Sequence, residues 1–120
     1  MNRLTKGKRN ERIIANYLLQ NGASNCYIAP VMKFRANNDI FGLWDMVIIM
    51  EGRLVMVQVK SNPSHFYAAR KAIAELNPTY PYELVLYQGK RKPIRFWNAK
   101  EKDRFKSIRM DIKDTGDLNV

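Results

Sequence analysis

Asp45, Gln58 and Lys60 are the residues whose types and spacing best suit chemistry in this chain. Asp45 precedes an apolar run, Met46 to Met50, then Glu51-Gly52 reads as a tight turn and Leu54 to Val59 as the returning strand. With a two-residue loop, or a four-residue loop over 50–53, Met50 pairs with Arg53, which puts Asp45 directly opposite Gln58 on one face. Lys60, two residues on, points to that face as well. A hard cation such as Mg²⁺ takes oxygen ligands and keeps room for water and phosphate. Asp45 offers a charged oxygen, Gln58 a neutral one and the strand the Val59 carbonyl. Lys60 can orient or deprotonate a water, or steady charge on a phosphate under attack.

The elements that must position these groups can be read from pattern and punctuation. A first helix is predicted from Thr5 to Leu19, stopped at Asn21-Gly22. At about 100° per residue, Ile14, Ala15 and Leu18 share a face and Glu11 falls in the middle of the apolar arc. An acid there needs a partner. It either completes an acidic cluster with Asp45 or only favours the helix start electrostatically. Residues 26–34 read as a first strand, broken at Pro30. Arg35 to Leu43 reads as a loop, in which Asp39 is a turn former or a supplementary ligand. The hairpin gives strands two and three, with Leu54 and Met56 covering the face of Gln58 and Lys60.

Pro63 and Ser64 introduce a helix from His65 to Leu76, ended by Asn77-Pro78. A fourth strand over Tyr82 to Tyr87, a basic turn from Gln88 to Pro93 and a fifth strand over Ile94 to Trp97 follow. A last helix is expected over Lys100 to Arg109, and a frayed tail over 113–120. The expected order is α-β-β-β-α-β-β, an α/β fold with a small mixed sheet flanked by helices and one domain over 1–112. Tyr67, Tyr80, Tyr82 and Trp97 read as packing residues, although one can stack on a base. His65 reads as a helix-start residue.

Composition bounds the function. A hydrophobic fraction of 46% over 120 residues is enough for a core and argues against disorder. No apolar run approaches the roughly eighteen residues of a membrane span, and the basic N-terminus lacks a signal-peptide core. One Cys and one His exclude an intramolecular disulfide and a zinc site of the usual kind. The expected setting is cytoplasmic. Net charge is +10, with five basic groups and one acid in residues 1–12 and nine basic groups and two acids in residues 90–109. The stretch 36–89 has four basic and five acidic groups, so positive ends flank a neutral, apolar centre. Such a field attracts a polyanion, nucleic acid before anionic membrane. The expected phosphate contacts are Lys6, Lys8, Arg9, Arg12, Lys33, Arg35, Ser61, Lys90, Arg91 and Lys92.

Three stretches carry a resemblance: the helix opening Gly7-Lys8-Arg9-Asn10-Glu11-Arg12, then Phe41-Gly42-Leu43-Trp44-Asp45, then Leu54-Val55-Met56-Val57-Gln58-Val59-Lys60-Ser61. Over residues 5–62 the chain resembles the PD-(D/E)XK nuclease superfamily, and within it the archaeal-type Holliday-junction resolvases and their viral relatives. Trp44 stands in place of the proline of the family's name, and Gln58 in place of the usual acid. The resemblance implies a restriction-endonuclease-like fold, with Asp45, Gln58 and the Val59 carbonyl binding Mg²⁺ (Mn²⁺ substituting), Glu11 helping to hold it and Lys60 assisting catalysis. It also implies a homodimer that hydrolyses phosphodiesters of branched DNA and leaves 5′-phosphates. A duplex nuclease of the same fold and a non-catalytic nucleic-acid-binding module are the alternatives.

Overall fold

A computed structural model of the chain describes residues 3–29, 40 and 43–106. Helix α1 (Arg3–Gln20) ends at Asn21 and Gly22, whose φ of 117° is cheap only for glycine, and the chain turns at once into β1 (Ala23–Ile28). The expected strand over 26–34 therefore starts three residues earlier, and its second half, with Pro30, lies outside the described residues. Ser24 and Asn25 have poor strand propensity, and they sit exposed on a sheet edge where little packing selects against them.

β2 (Met46–Met50) and β3 (Arg53–Lys60) form the expected hairpin. Glu51 and Gly52 take φ of 53° and 76°. Two consecutive positive values make the type of two-residue turn whose twist matches paired strands. Met50 pairs with Arg53, and the register runs unbroken to Met46 against Val57. Helix α2 (Pro63–Leu76) starts two residues before His65, because Asn62 accepts the Ser64 N–H at 2.8 Å and Pro63 fits the first turn. Asn77, left-handed at φ 50°, closes it as expected.

β4 (Tyr82–Leu86), β5 (Ile94–Asn98) and β6 (Lys102–Lys106) complete a six-stranded sheet in sequence order, antiparallel except where β3 and β4 run parallel across α2. The helix expected over Lys100 to Arg109 is replaced by β6. Asn98 Oδ1 accepts the N–H groups of Lys100 and Glu101 at 3.0 and 2.8 Å, which folds the chain back on β5. Cross-strand pairs then hold it: Arg95 with Asp103 at 2.7 Å, and Arg104 with Glu83. The tail over 113–120 lies outside the described residues.

Each face of the sheet carries one helix. Ile13, Ile14, Tyr17 and Leu18 of α1 pack on Met46, Ile48, Val55, Val57, Val85, Ile94 and Phe96. Phe66, Ala69 and Ile73 of α2 pack on Trp44, Tyr82, Leu84, Leu86 and Trp97. Leu54, expected to cover the second face, is exposed beside the hairpin turn. No helix among the described residues is long and apolar enough to cross a membrane. Cys26 lies against the Met46 sulfur at 3.9 Å, and burial pushes its thiol up to about 11. Since the thiolate is the nucleophile, Cys26 is expected to react slowly with a disulfide reagent at pH 8 and to gain reactivity as pH rises towards 11, or on unfolding in guanidinium. Rapid native labelling at pH 8 would contradict that burial.

Candidate active site

The register that fixes the hairpin changes by one residue at Asp45. Its N–H donates to the Val57 carbonyl at 2.9 Å, while Met46 is the residue paired with Val57. Two residues thus oppose one, the count of a β-bulge, a device that re-aims a side chain at the end of a ladder. On its other side Asp45 stays in step with β1, its carbonyl accepting the Ala29 N–H at 2.9 Å. The expected placement directly opposite Gln58 is corrected accordingly. Instead the carboxylate reaches over β3, and Oδ2 accepts the Val59 N–H at 2.7 Å. Strand N–H groups lie in the plane of the sheet, so Asp45 sits in that plane, where a β2 carbonyl would otherwise be.

Gln58 and Lys60 alternate with Val57 and Val59. The valines belong to the α1 side and Met56 to the α2 side, so Gln58 and Lys60 face α2. Gln58 is 5% exposed and is the one polar residue among the fully buried ones described. Its Nε2 donates to the Leu43 carbonyl at 2.9 Å, while its Oε1 is buried with no hydrogen-bond partner. An orphaned acceptor costs about 1–3 kcal/mol, and this oxygen keeps its accepting capacity unspent, as Trp97 Nε1 and Arg104 Nε keep their donors. Lys60 is half-buried, and its carbonyl takes the Tyr87 N–H at 2.8 Å.

Glu11 points inward, its side chain 13% exposed, and Lys8 Nζ lies 3.1 Å from Oε1. The same ammonium donates to the Ala29 carbonyl, and Ala29 is bonded to Asp45. Glu11, Lys8, Ala29 and Asp45 therefore form one chain of contacts at the end of β1 and β2, approached from the α1 side. The sheet lies between Glu11 and the pair Gln58 and Lys60, with Asp45 in its plane. The four expected catalytic residues gather at one end of the sheet but do not share a face.

Among the described residues no three His, Cys, Asp or Glu side chains converge as a metal cluster. Mg²⁺ needs only one or two carboxylates because it keeps several waters. Asp45, the orphan Gln58 Oε1 and the Val59 carbonyl are donors of that hard, oxygen-only kind. Asp39, Lys33 and Arg35 lie outside the described residues.

The basic residues are drawn together more than their sequence positions show. A cavity of about 690 Å³ opens between α1 and the β4–β5 connection, lined by Arg9, Asn10, Ser61, Lys90, Arg91 and Lys92 among others. Ser61 follows Lys60 in the chain, but the groove opens on the α1 side, whereas Lys60 faces α2. Lys8 is engaged by Glu11, Arg12 is exposed, and Lys6 belongs to the opening turns of α1. A larger cavity, about 1070 Å³, lies at the opposite end beside the Glu51 turn and Arg53. Two features had no sequence signal: the bulge, and the Asn10 and Tyr87 walls of the groove, which depend on how α1 crosses the sheet.

Comparison of the chain with protein-family models, with curated proteins and with solved structures finds no match to any of them.

If the groove takes DNA, alanine at both Arg91 and Lys92 is expected to weaken binding about equally for all sequences. The slope of log K against log salt should fall by about 0.9 for each duplex phosphate that is no longer neutralised. Anisotropy titrations across a salt series measure it, and an unchanged slope would remove the groove from the binding surface.

Proposed function

We propose that this protein is a Mg²⁺-dependent DNA endonuclease of restriction-endonuclease-like fold, acting on branched DNA in the manner of a Holliday-junction resolvase. The observation that carries the reading is the Asp45 carboxylate held on the Val59 backbone, near a buried amide oxygen with no partner and Lys60 on β3, in a chain whose basic residues line a groove on the α1 side. The element order supports it too: a leading helix, a hairpin with the aspartate at one end and Gln-x-Lys at the other, then a second helix.

Asp45, Gln58 Oε1 and the Val59 carbonyl would hold the ion, which when bound supplies Lewis-acid polarisation of a phosphate and an acidified water. The Val59 N–H fixes the carboxylate, and the Leu43 carbonyl fixes the Gln58 amide so that its oxygen, not its nitrogen, is presented. Lys60 would orient water or balance charge on the phosphate. Arg9 and the 90–92 turn would grip the strand and set its register, giving affinity without sequence preference. Symmetric resolution of a junction needs two cuts, so the active species in this reading is a two-fold homodimer.

A second reading, a nucleic-acid-binding module without catalysis, is favoured by the amide at 58 and by the absence of an acidic triad among the described residues. Labelled four-way junction and plain duplex, each with Mg²⁺ or chelator, separate the two. Cutting of the junction that needs Mg²⁺, and falls about 10²–10⁴-fold in Asp45→Asn and Lys60→Ala, is the expected result. Tight binding with no cutting under any metal would establish the binding module, and equal cutting of duplex would make the protein a duplex nuclease. Gln58→Glu adds a carboxylate where an amide stands, and should lower the Mg²⁺ concentration for half-maximal cutting. An unchanged Mg²⁺ requirement would remove Gln58 from the ligand set.

A further inference from the structure

A single rung crosses the sheet from Lys60 to the β6 edge. Lys60 pairs with Leu86, Leu86 with Arg95 and Arg95 with Phe105. Rung neighbours share a face, and strands lie about 4.8 Å apart, so the backbone of Phe105 is roughly 14 Å from that of Lys60 on the α2 side. There the Arg95 guanidinium lies 4.8 Å from the Phe66 ring centroid, 5.2 Å from that of Tyr67 and 5.6 Å from that of Phe105. It donates to the Tyr67 hydroxyl at 2.7 Å and to Asp103 Oδ1 at 2.7 Å. One covered cation therefore holds two rings that are themselves open to solvent: Tyr67 is 51% and Phe105 59% exposed. Arg70, stacked 5.1 Å from the Trp97 centroid, lies 3.7 Å from the Asp103 carboxylate that it shares with Arg95, so two cations meet one acid beside the rings.

Single exposed aromatics are ordinary. A pair fixed by a shared guanidinium, on the rung of a candidate catalytic lysine and in a chain of net charge +10, is better explained by what it would stack on. Rings held in advance lose little freedom on binding. Their faces suit a flat π-system, and the adjacent cations suit its phosphate. At the roughly 3.4 Å rise of a stacked strand, the platform lies a few nucleotides from a phosphate at Lys60. A paired base hides its face in the duplex stack, whereas an unpaired one offers it.

We infer that Tyr67 and Phe105, set by Arg95, form a stacking platform for an unpaired base of the DNA strand that passes Lys60. This rests on the nuclease reading and narrows it: the substrate class is DNA with single-stranded or unstacked bases close to the cut. Arg95 is a positioning residue in this account, and the two rings are the contacts.

The test uses the full chain, chelator to prevent cutting, and one sequence carrying 2-aminopurine as single strand and as duplex. Wild type is expected to quench the fluorophore in the single strand. Tyr67→Ala and Phe105→Ala should each weaken single-strand binding about tenfold, the size of one base–aromatic stack, with duplex affinity held within about twofold. Tyr67→Phe should behave as wild type. Tyr67→Leu, which keeps cover over Arg95 but has no π-face, should lose quenching while its thermal unfolding stays cooperative. Absence of quenching by wild type, or equal losses on single strand and duplex, overturns the platform. A change in sedimentation of the alanine variants with quenching intact does so too, and would mark the patch as a contact between copies of the chain. Quenching should survive in Asp45→Asn. Quenching by a protein that cuts no DNA upholds the platform and removes the nuclease; cutting without quenching does the reverse.

Discussion

The two-residue turn at Glu51 and Gly52 is the constraint on which the arrangement rests. By fixing Met50 against Arg53 it sets the register of β2 on β3, and through β3 the face on which every neighbouring side chain lies. A slip of one residue would turn Gln58 and Lys60 under α1 and send Val57 and Val59 under α2. Both cores would be ruined, since Val57 is fully buried on one side and Leu84, the β4 partner of Gln58, is fully buried on the other. Within so rigid a register, the bulge at Asp45 is a local exception that lets a carboxylate meet a backbone N–H instead of pointing away from the sheet.

What could be read from the chain is what local chemistry determines. The β2–β3 register follows from a turn and an alternation, both short-range, and it runs as expected from 46 to 57. The stop of α1 at Asn21-Gly22 and of α2 at Asn77 follow from residues that tolerate left-handed backbone. What escaped depends on partners far along the chain. The charges of Lys100 to Arg109 look like a solvated helix face until Glu83 and Arg95 are known to lie on the strands beside them. The bulge needs β1, β2 and β3 together, because Asp45 keeps step with Ala29 while losing it with Val57. The positive charges of the groove were visible, but not that Arg9, Ser61 and the 90–92 turn line one cavity.

Polar groups sit inside this protein at a measurable disadvantage to the fold. Gln58 satisfies its donor and leaves its acceptor bare, a worse arrangement for stability than a leucine of similar size. Glu11 enters an apolar helix face and is matched by Lys8, which also serves the Ala29 carbonyl. Both departures lie at the end of the sheet that holds Asp45. Sequences violate their own packing rules most often where something other than stability selects the residue, although Trp97 Nε1 and Arg104 Nε, on β5 and β6, are buried without partners as well. On β5, Arg95 is surrounded by rings, a phenol and a carboxylate, and Asp103 is held below the usual carboxylate range by that arginine's hydrogen bond.

The parallel junction between β3 and β4 has a kinetic consequence. The β2–β3 and β5–β6 hairpins close through short turns, whereas β3 meets β4 only after α2 has been laid down between them. Closing that longer loop is entropically slower. The bond from the Tyr87 N–H to the Lys60 carbonyl belongs to this junction, so the end of β3 that carries Gln58 and Lys60 meets β4 only when that longer loop closes. That contact would also be among the first features to go when α2 opens, which makes protection of the Tyr87 amide against hydrogen exchange a direct gauge of whether the site is assembled.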